Sequence, residues 1–341
     1  MTRAVNQKQE DINSMIWLTF TWGFLKTIMA NFTVQQFSIV CLQGFQNQDS
    51  KTFLSVCFLI IYLFICLANI TIIIIFALDE NLHKPMYIMI SNLAAIDIVY
   101  STVTIPKMLA MFLFDYSLIS FHACFLQMIF YLGLGTVEVF LLVLMAYDRY
   151  LAICNPLHYP SIMTNSKSVQ QVIFCWVGGL LSPLISVILA IRLPFCGPNR
   201  VLHCFCDHSS VIRLACAEIT INSYVGLTFA LGVLVIPLAY ILYSYVRIIM
   251  SVIKITSSEG RFKAFSTCGT HLIVVCIFFL SSVSVYISYR IPGSSEDVRM
   301  MTSIVGIVIS PVINPIIYCL RTKEIWDSCV KTLKRAKLLP S

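Results

Sequence analysis

Charge is what this chain has least of. Only 11% of its 341 residues are Asp, Glu, Lys or Arg, where a soluble domain carries about a quarter, so an ordinary soluble fold is excluded. It has no internal repeat of solenoid length and no low-complexity linker, which leaves one domain with two tails. Its basic residues form no stripe interleaved with aromatics, which sets nucleic acid aside as a partner. Paired halves with broken helices and charged pore rings are both missing, against a transporter or channel. No nucleophile, base and oxyanion set converges, against an enzyme.

What the chain does have is apolar length. Hydrophobic residues make up 58% of it, in blocks long enough to cross a hydrocarbon layer of roughly 30 Å. Seven blocks, at about 53–78, 86–112, 123–147, 171–191, 223–250, 269–289 and 302–320, predict a polytopic helical membrane protein.

Lys and Arg set its orientation. The C-terminal tail carries Arg321, Lys323, Lys331, Lys334, Arg335 and Lys337 against Glu324 and Asp327, and Lys254, Arg261 and Lys263 precede the sixth block. Positive loops face the cytoplasm, so the tail is expected inside and, after seven crossings, the N-terminus outside. Asn31-Phe32-Thr33 is a glycosylation acceptor that fits an outer N-terminus; Asn69-Ile70-Thr71 lies within the first span and should stay bare. In the first inner loop Asp79 and Glu80 outweigh Lys84, but acidic residues count little in this rule. The formal net charge of +7 gathers on the inner face, where it would attract anionic lipid and support partner contact. Met15 to Met29 is apolar apart from Lys26, short for a span and without a small-residue cleavage site.

Of fourteen cysteines, most sit in spans, where Cys behaves as a small apolar residue. Five fall at the outer face: Cys124, Cys196, Cys204, Cys206 and Cys216. That side folds in an oxidising lumen, so bridges are expected, with a connectivity that sequence does not set. The string His203-Cys204-Phe205-Cys206-Asp207-His208 also admits a metal contact through His203, Cys204 and His208, although its spacing is not that of a closed zinc site.

Polar residues inside the spans are costly and call for a function. Asp97 lies midway along the second span and Glu138 deep in the third, with Asn69 and Asn314 placed to join them. Two such carboxyls would protonate or find a cation; a structural hydrogen-bonded cluster is the alternative. Neither acid stands in the Gly-Asp or Tyr-Asp context of an intramembrane aspartyl protease.

Several strings then fall at span ends. Met145-Ala146-Tyr147-Asp148-Arg149-Tyr150-Leu151-Ala152-Ile153-Cys154 closes the third. Pro311-Val312-Ile313-Asn314-Pro315-Ile316-Ile317-Tyr318 closes the seventh with a proline bend. Leu82-His83-Lys84-Pro85-Met86-Tyr87 opens the second, Ser244-Tyr245 closes the fifth after Pro237, and Lys263-Ala264-Phe265-Ser266-Thr267-Cys268-Gly269-Thr270-His271-Leu272 opens the sixth. Over residues 29–325 the chain resembles the rhodopsin-like (class A) G-protein-coupled receptors. Its third- and sixth-span strings resemble the odorant (olfactory) receptors in particular.

The resemblance implies an all-α membrane protein, a seven-transmembrane helix bundle with a short amphipathic eighth helix built on Ile325, Trp326 and Val330. Met29 begins Met-Ala-Asn-Phe-Thr, which looks like a natural start for that family. The expected divisions are therefore 1–28 as an upstream extension or extracellular tail, 29–52 as the extracellular N-terminus, 53–320 as the receptor domain and 321–341 as the cytoplasmic tail. It implies disulfides Cys124–Cys206 and Cys196–Cys216, with Cys204 left over, and a sodium or water site at Asp97 and Glu138, with no other cofactor or metal.

The implied ligand residues are Leu132, Gly135, Thr136, Ser182, Phe229, Phe279, Ser282, Val283, Tyr286 and Ile307. No acid in the outer third helix awaits an amine, and Arg290 above Tyr286 is read as snorkelling to the interface rather than as a carboxylate contact. Family members commonly have Phe-Tyr-Gly where this chain has Phe278-Phe279-Leu280, so Phe279 lacks a hydroxyl. Activation and coupling would rest on Asp148, Arg149, Tyr150, Tyr245, His271, Asn314, Pro315 and Tyr318. The implied function is an odorant-activated receptor at the plasma membrane, with an odorant, a stimulatory olfactory-type G protein, membrane lipid and a trafficking chaperone as partners. A chemoreceptor of the same fold reading a metabolite outside the nose is the rival.

Overall fold

A computed structural model describes residues 34–254, 256–289, 291 and 293–335. Asn31, Arg290, Lys337 and the 1–28 segment, on which several of the expectations fall, lie outside them. Among the described residues, seven helices are long and apolar enough to cross a membrane: α1 (Gln48–Leu78), α2 (Pro85–Phe114), α3 (Phe121–Cys154), α4 (Asn165–Ile191), α5 (Thr220–Val252), α6 (Ser258–Ser288) and α7 (Glu296–Arg321). Helices suit lipid because each satisfies its own backbone polar groups.

Local sequence sets their ends. Ser120, Thr164, Ser257 and Ser295 cap α3, α4, α6 and α7, each side chain accepting from an amide three residues on. Pro85 occupies the first turn of α2, where its missing N–H costs nothing. Pro183 interrupts α4 between Leu181 and Leu184, since its ring removes a helix hydrogen bond.

α3 is the buried axle, packed against α2, α4, α5 and α6. α5 lies at the rim, with Ile221, Tyr224, Leu231, Val235 and Ile236 exposed, the face a lipid-facing helix should show. Small residues bring α3 and α4 together. A Cβ on Gly179 would lie 2.4 Å from Val137 Cγ2 and 2.7 Å from the Val137 amide nitrogen, so only glycine fits that crossing.

Two hydrogen bonds tie helices through the apolar middle. Asn69 Nδ2 donates to the Pro311 carbonyl at 3.1 Å, and Trp176 Nε1 donates to Asn92 Oδ1 at 3.1 Å.

A feature the sequence did not announce closes one end of the bundle. The strands β1 (Gln36–Ile39), β2 (Leu118–Ser120) and β3 (Arg200–Val201) form a small sheet in the order β2-β1-β3. β1 runs antiparallel to β2 and parallel to β3. Phe37 on β1 packs among Phe121, Phe125 and Phe195. Disulfides Cys124–Cys206 and Cys196–Cys216 form at this end, as the resemblance implied. Cys204 is not left over: it bridges to Cys41, because β1–β3 pairing carries the N-terminal segment alongside the α4–α5 loop.

At the opposite end a short helix, α8 (Lys323–Arg335), follows α7. Ile325 and Ser328 are buried while Trp326 is half exposed, the one-sided pattern of an interfacial helix. Ser328 donates its hydroxyl to Asp79, and Lys331 Nζ approaches the same carboxyl at 4.0 Å. The Ser328 bond first, with that from Asn81, pulls the Asp79 carboxyl down to about 2. The acid that runs against the positive-inside pattern thus docks α8.

Candidate functional site

Below the sheet, the helices enclose a cavity of about 640 Å³, within the range of small-molecule sites. α6 supplies Phe278, Ser281, Ser282, Val285, Tyr286 and Tyr289, spaced at three and four residues as one helical face must be. α3 supplies Leu132, Gly135, Thr136, Glu138 and Val139; α5 adds Phe229 and Leu227; α7 adds Ile307 and Ser310. Tyr100 of α2 and Tyr131 of α3 stack at 5.5 Å and complete the wall.

Of the ten residues implied for a ligand, Leu132, Gly135, Thr136, Phe229, Ser282, Tyr286 and Ile307 line this cavity. Three do not. Ser182 turns its hydroxyl back to the Gly179 carbonyl at 2.7 Å, at the break in α4, and Ser186 one turn later reaches the wall instead. Phe279 is buried behind Phe278, ring to ring at 5.3 Å, and Phe278 takes the lining position. Val283 lies off the inward face of α6 and is 42% exposed.

The roof comes from the loop between α4 and α5, which the sequence reading left out of the pocket: His203, Asp207, His208, Ser209 and Arg213. His203, Asp207 and His208 belong to the His203–His208 string, which the sequence marks for disulfides, with a metal contact as the alternative. With Cys204 and Cys206 in disulfides, no group of three or more metal-type ligands forms among the described residues, so the metal reading does not hold. Burial pushes His203 and His208 below the ordinary imidazole value, with Asp207 opposing it. Burial would raise the Asp207 carboxyl, but His203, the Ser209 hydroxyl and the Ser210 amide together hold it below its ordinary value.

Beneath the cavity a polar seam runs along the bundle axis. Asn314 Nδ2 donates to Asp97 Oδ2 at 3.1 Å, and both residues are buried. Glu138 is buried at the cavity floor, within electrostatic reach of Asp97. Glu138 Oε1, Asn69 Oδ1, Ser101 Oγ and the Tyr318 hydroxyl find no hydrogen-bond partner among the described residues, a density of open polar atoms that suits water or a small ion. Pro315 is buried in α7 one residue from Asn314.

At the far end of α3, Arg149 Nη2 lies 3.2 Å from Asp148 Oδ2, and Tyr159 donates its hydroxyl to Asp148 Oδ1 at 2.8 Å. Asp148 is 1% exposed, so its charge is held by these two groups. Tyr150, the next residue, is half-buried. Across from them the Tyr245 hydroxyl meets His271 Nδ1 at 2.7 Å and donates to the Cys268 carbonyl at 3.1 Å, joining α5 to α6. One helix, α3, thus carries both the cavity wall and the charged pair.

The family model described as "Olfactory receptor" matches residues 58–336. Human "Olfactory receptor 6N1" is 43% identical over 297 residues, which cover 87% of this chain and 95% of that one. Human "Olfactory receptor 2AT4" is 37% identical over 307 residues, covering 89% and 96%. Among solved structures, that of squid rhodopsin superposes with a TM-score of 0.70 at 17% identity, covering 88% of this chain and 91% of that one. At that identity the last match speaks for the fold alone.

Proposed function

The chain belongs to the olfactory receptor family, and on that premise we propose that it is switched on by a small, largely apolar odorant held in the cavity and that it raises cAMP through a stimulatory, olfactory-type G protein. As a member of that family it is an odorant-sensing G-protein-coupled receptor with a rhodopsin-like fold, not an enzyme. The ligand site, the G-protein type and the orientation are our reading. The sheet end faces outward, the Arg149 end faces the cytoplasm, and Asn31 is glycosylated. A trafficking chaperone and membrane lipid assist it, with α8 lying on the inner leaflet, and sodium or water occupies the Asp97–Glu138 seam.

One observation carries the reading: α3 lines the cavity at Leu132 and Gly135 and ends in the buried Asp148–Arg149 pair. A ligand can shift the receptor only by binding one state better than the other. Moving the balance from 1:99 to 99:1 takes roughly 5.5 kcal/mol of differential affinity. Agonist favours a state in which α6 moves outward, Arg149 leaves Asp148, and the opened cleft accepts the C-terminal helix of the G-protein α subunit. Tyr245, His271 and Tyr318 relay the change.

The test expresses the chain from Met29 with a trafficking chaperone and an olfactory-type G protein, and reads cAMP over a broad odorant panel. A dose-dependent rise that disappears in Arg149→Ala at equal surface expression supports the proposal. A rise that survives in Arg149→Ala contradicts the coupling route, and silence across the panel counts against the odorant reading.

A further inference from the structure

His208 sits in the cavity roof with one ring nitrogen engaged and the other open. It is 7% exposed and lines the cavity. Gly226 of α5 leaves room for its ring: a Cβ there would lie 2.8 Å from His208 Cε1 and 3.0 Å from Nδ1. The Ser186 backbone hydrogen-bonds the imidazole. A backbone carbonyl can only accept, so the nitrogen facing it carries the proton. Nε2 has no hydrogen-bond partner among the described residues. Burial, opposed by Asp207, holds the ring below its ordinary value, so near pH 7 it is neutral, with one donor and one acceptor.

Two neighbouring polar groups of the roof are already engaged, while Arg213 also lines it. Asp207 accepts from Ser209 and Ser210, and His203 Nδ1 accepts from the Phe205 amide at 3.4 Å. The wall below combines apolar Leu132, Val139, Leu227, Phe229 and Ile307 with Thr136, Ser281 and Ser282, whose hydroxyls bond back to their own helices, and the Glu138 carboxyl lies at the floor. The roof therefore offers a buried lone pair above a largely apolar chamber. A site built to accept a hydrogen bond rejects analogues that cannot donate one, because its own buried group is left unpaired.

We propose that His208 Nε2 is a specificity-determining acceptor, and that the ligand it selects is an aliphatic molecule carrying a hydroxyl donor, an alcohol in preference to the corresponding ether. This rests on the cavity being the ligand site, and it adds the chemical class that site takes.

The test uses the full chain, purified in lipid nanodiscs. The probes are linear primary alcohols of six to ten carbons and the methyl ethers of the same chains, read by thermal shift and, in cells, by cAMP. For the wild type, at least one alcohol should act at a concentration about tenfold or more below its ether. In His208→Phe that ratio should fall to near one; in His208→Gln, whose amide oxygen can accept, it should be partly kept. Equal action of alcohols and ethers, a ratio that persists in His208→Phe, or no stabilisation by any alcohol up to its solubility limit would each overturn the inference. Stabilisation by an alcohol without a cAMP response would instead overturn the signalling proposal and leave the acceptor role of His208 standing.

Discussion

Tyr159 donates its hydroxyl to Asp148 at 2.8 Å, on the carboxylate oxygen opposite the one that Arg149 faces. The tyrosine begins the one-turn helix Tyr159–Ile162 after α3 and completes a three-membered clasp in which Asp148 faces one neighbour with each oxygen. The pair Asp148–Arg149 is then not isolated, because Tyr159 anchors the same carboxylate through its other oxygen.

Tyr159→Phe removes that anchor. A hydrogen bond to a charged group contributes about 1.5–3 kcal/mol, and about 1.4 kcal/mol is a tenfold change in an equilibrium. If the clasp holds the resting state, basal cAMP should rise up to about tenfold in Tyr159→Phe, and Asp148→Asn should raise it too. Unchanged basal signal at matched surface expression in both variants would rule out the clasp as a lock.

The bridge between Cys41 and Cys204 joins residues 163 positions apart, and a link of that reach stabilises by roughly 2–5 kcal/mol. Cys41→Ser and Cys204→Ser should each lower the melting temperature of the purified receptor, and the double variant should fall no further than the worse single, since both break one bond. Additive losses would mean that the two cysteines act separately.

Gly179 and Gly197 make an internal comparison. A methyl at Gly179 meets Val137, side chain and backbone, below 3 Å, whereas at Gly197 it meets nothing within 4 Å. Gly179→Ala should cost about 1–3 kcal/mol by overpacking, seen as reduced surface expression and a lower melting temperature. Gly197→Ala should leave both within error. A tolerated Gly179→Ala would show that α3 and α4 can part cheaply.

Acid should loosen the roof. His203 and His208 are depressed by burial against the opposing pull of Asp207, while Arg213 shares the cavity roof with them. Between the ordinary imidazole value near 6.5 and the lower folded values, the unfolded chain binds more protons than the folded one. Stability therefore rises with pH through that window and is lost as pH falls through it. Asp207, also held low, adds a loss only below about pH 4. The melting temperature should drop from pH 7.5 to 5.5, and less so in His203→Phe. An equal drop in that variant would assign the effect to other groups.

Much of this was legible in the sequence, for identifiable reasons. Seven spans announce themselves because hydrophobic length is a one-dimensional property. The inward face of α6 follows from helical period, which is also why naming Phe279 and Val283 rather than Phe278 and Val285 misses by a fraction of a turn. The sheet was not legible: β1 and β3 are four and two residues long, and their pairing joins segments far apart in the chain. Cys41 gave no sign of its partner for the same reason, and Tyr159 is an ordinary loop tyrosine until folding sets it beside Asp148. The His203–His208 string is legible as a disulfide-bearing cluster, but its place over the cavity is not, because sequence shows which residues are near one another and not which way a folded loop turns them.

The central claim is that occupancy of the cavity controls the Arg149 end, and Gly135 allows it to be tested directly. Gly135 lines the cavity, and a Cβ there meets nothing closer than Tyr100 Cε2 at 4.0 Å, so Gly135→Phe would fill the chamber from α3. The measurement is the agonist dose–response of cAMP in wild type and Gly135→Phe at equal surface expression. The account predicts that the filled variant loses the agonist response, by at least about tenfold in potency. An unaltered dose–response in Gly135→Phe would contradict it, placing the ligand somewhere other than this cavity.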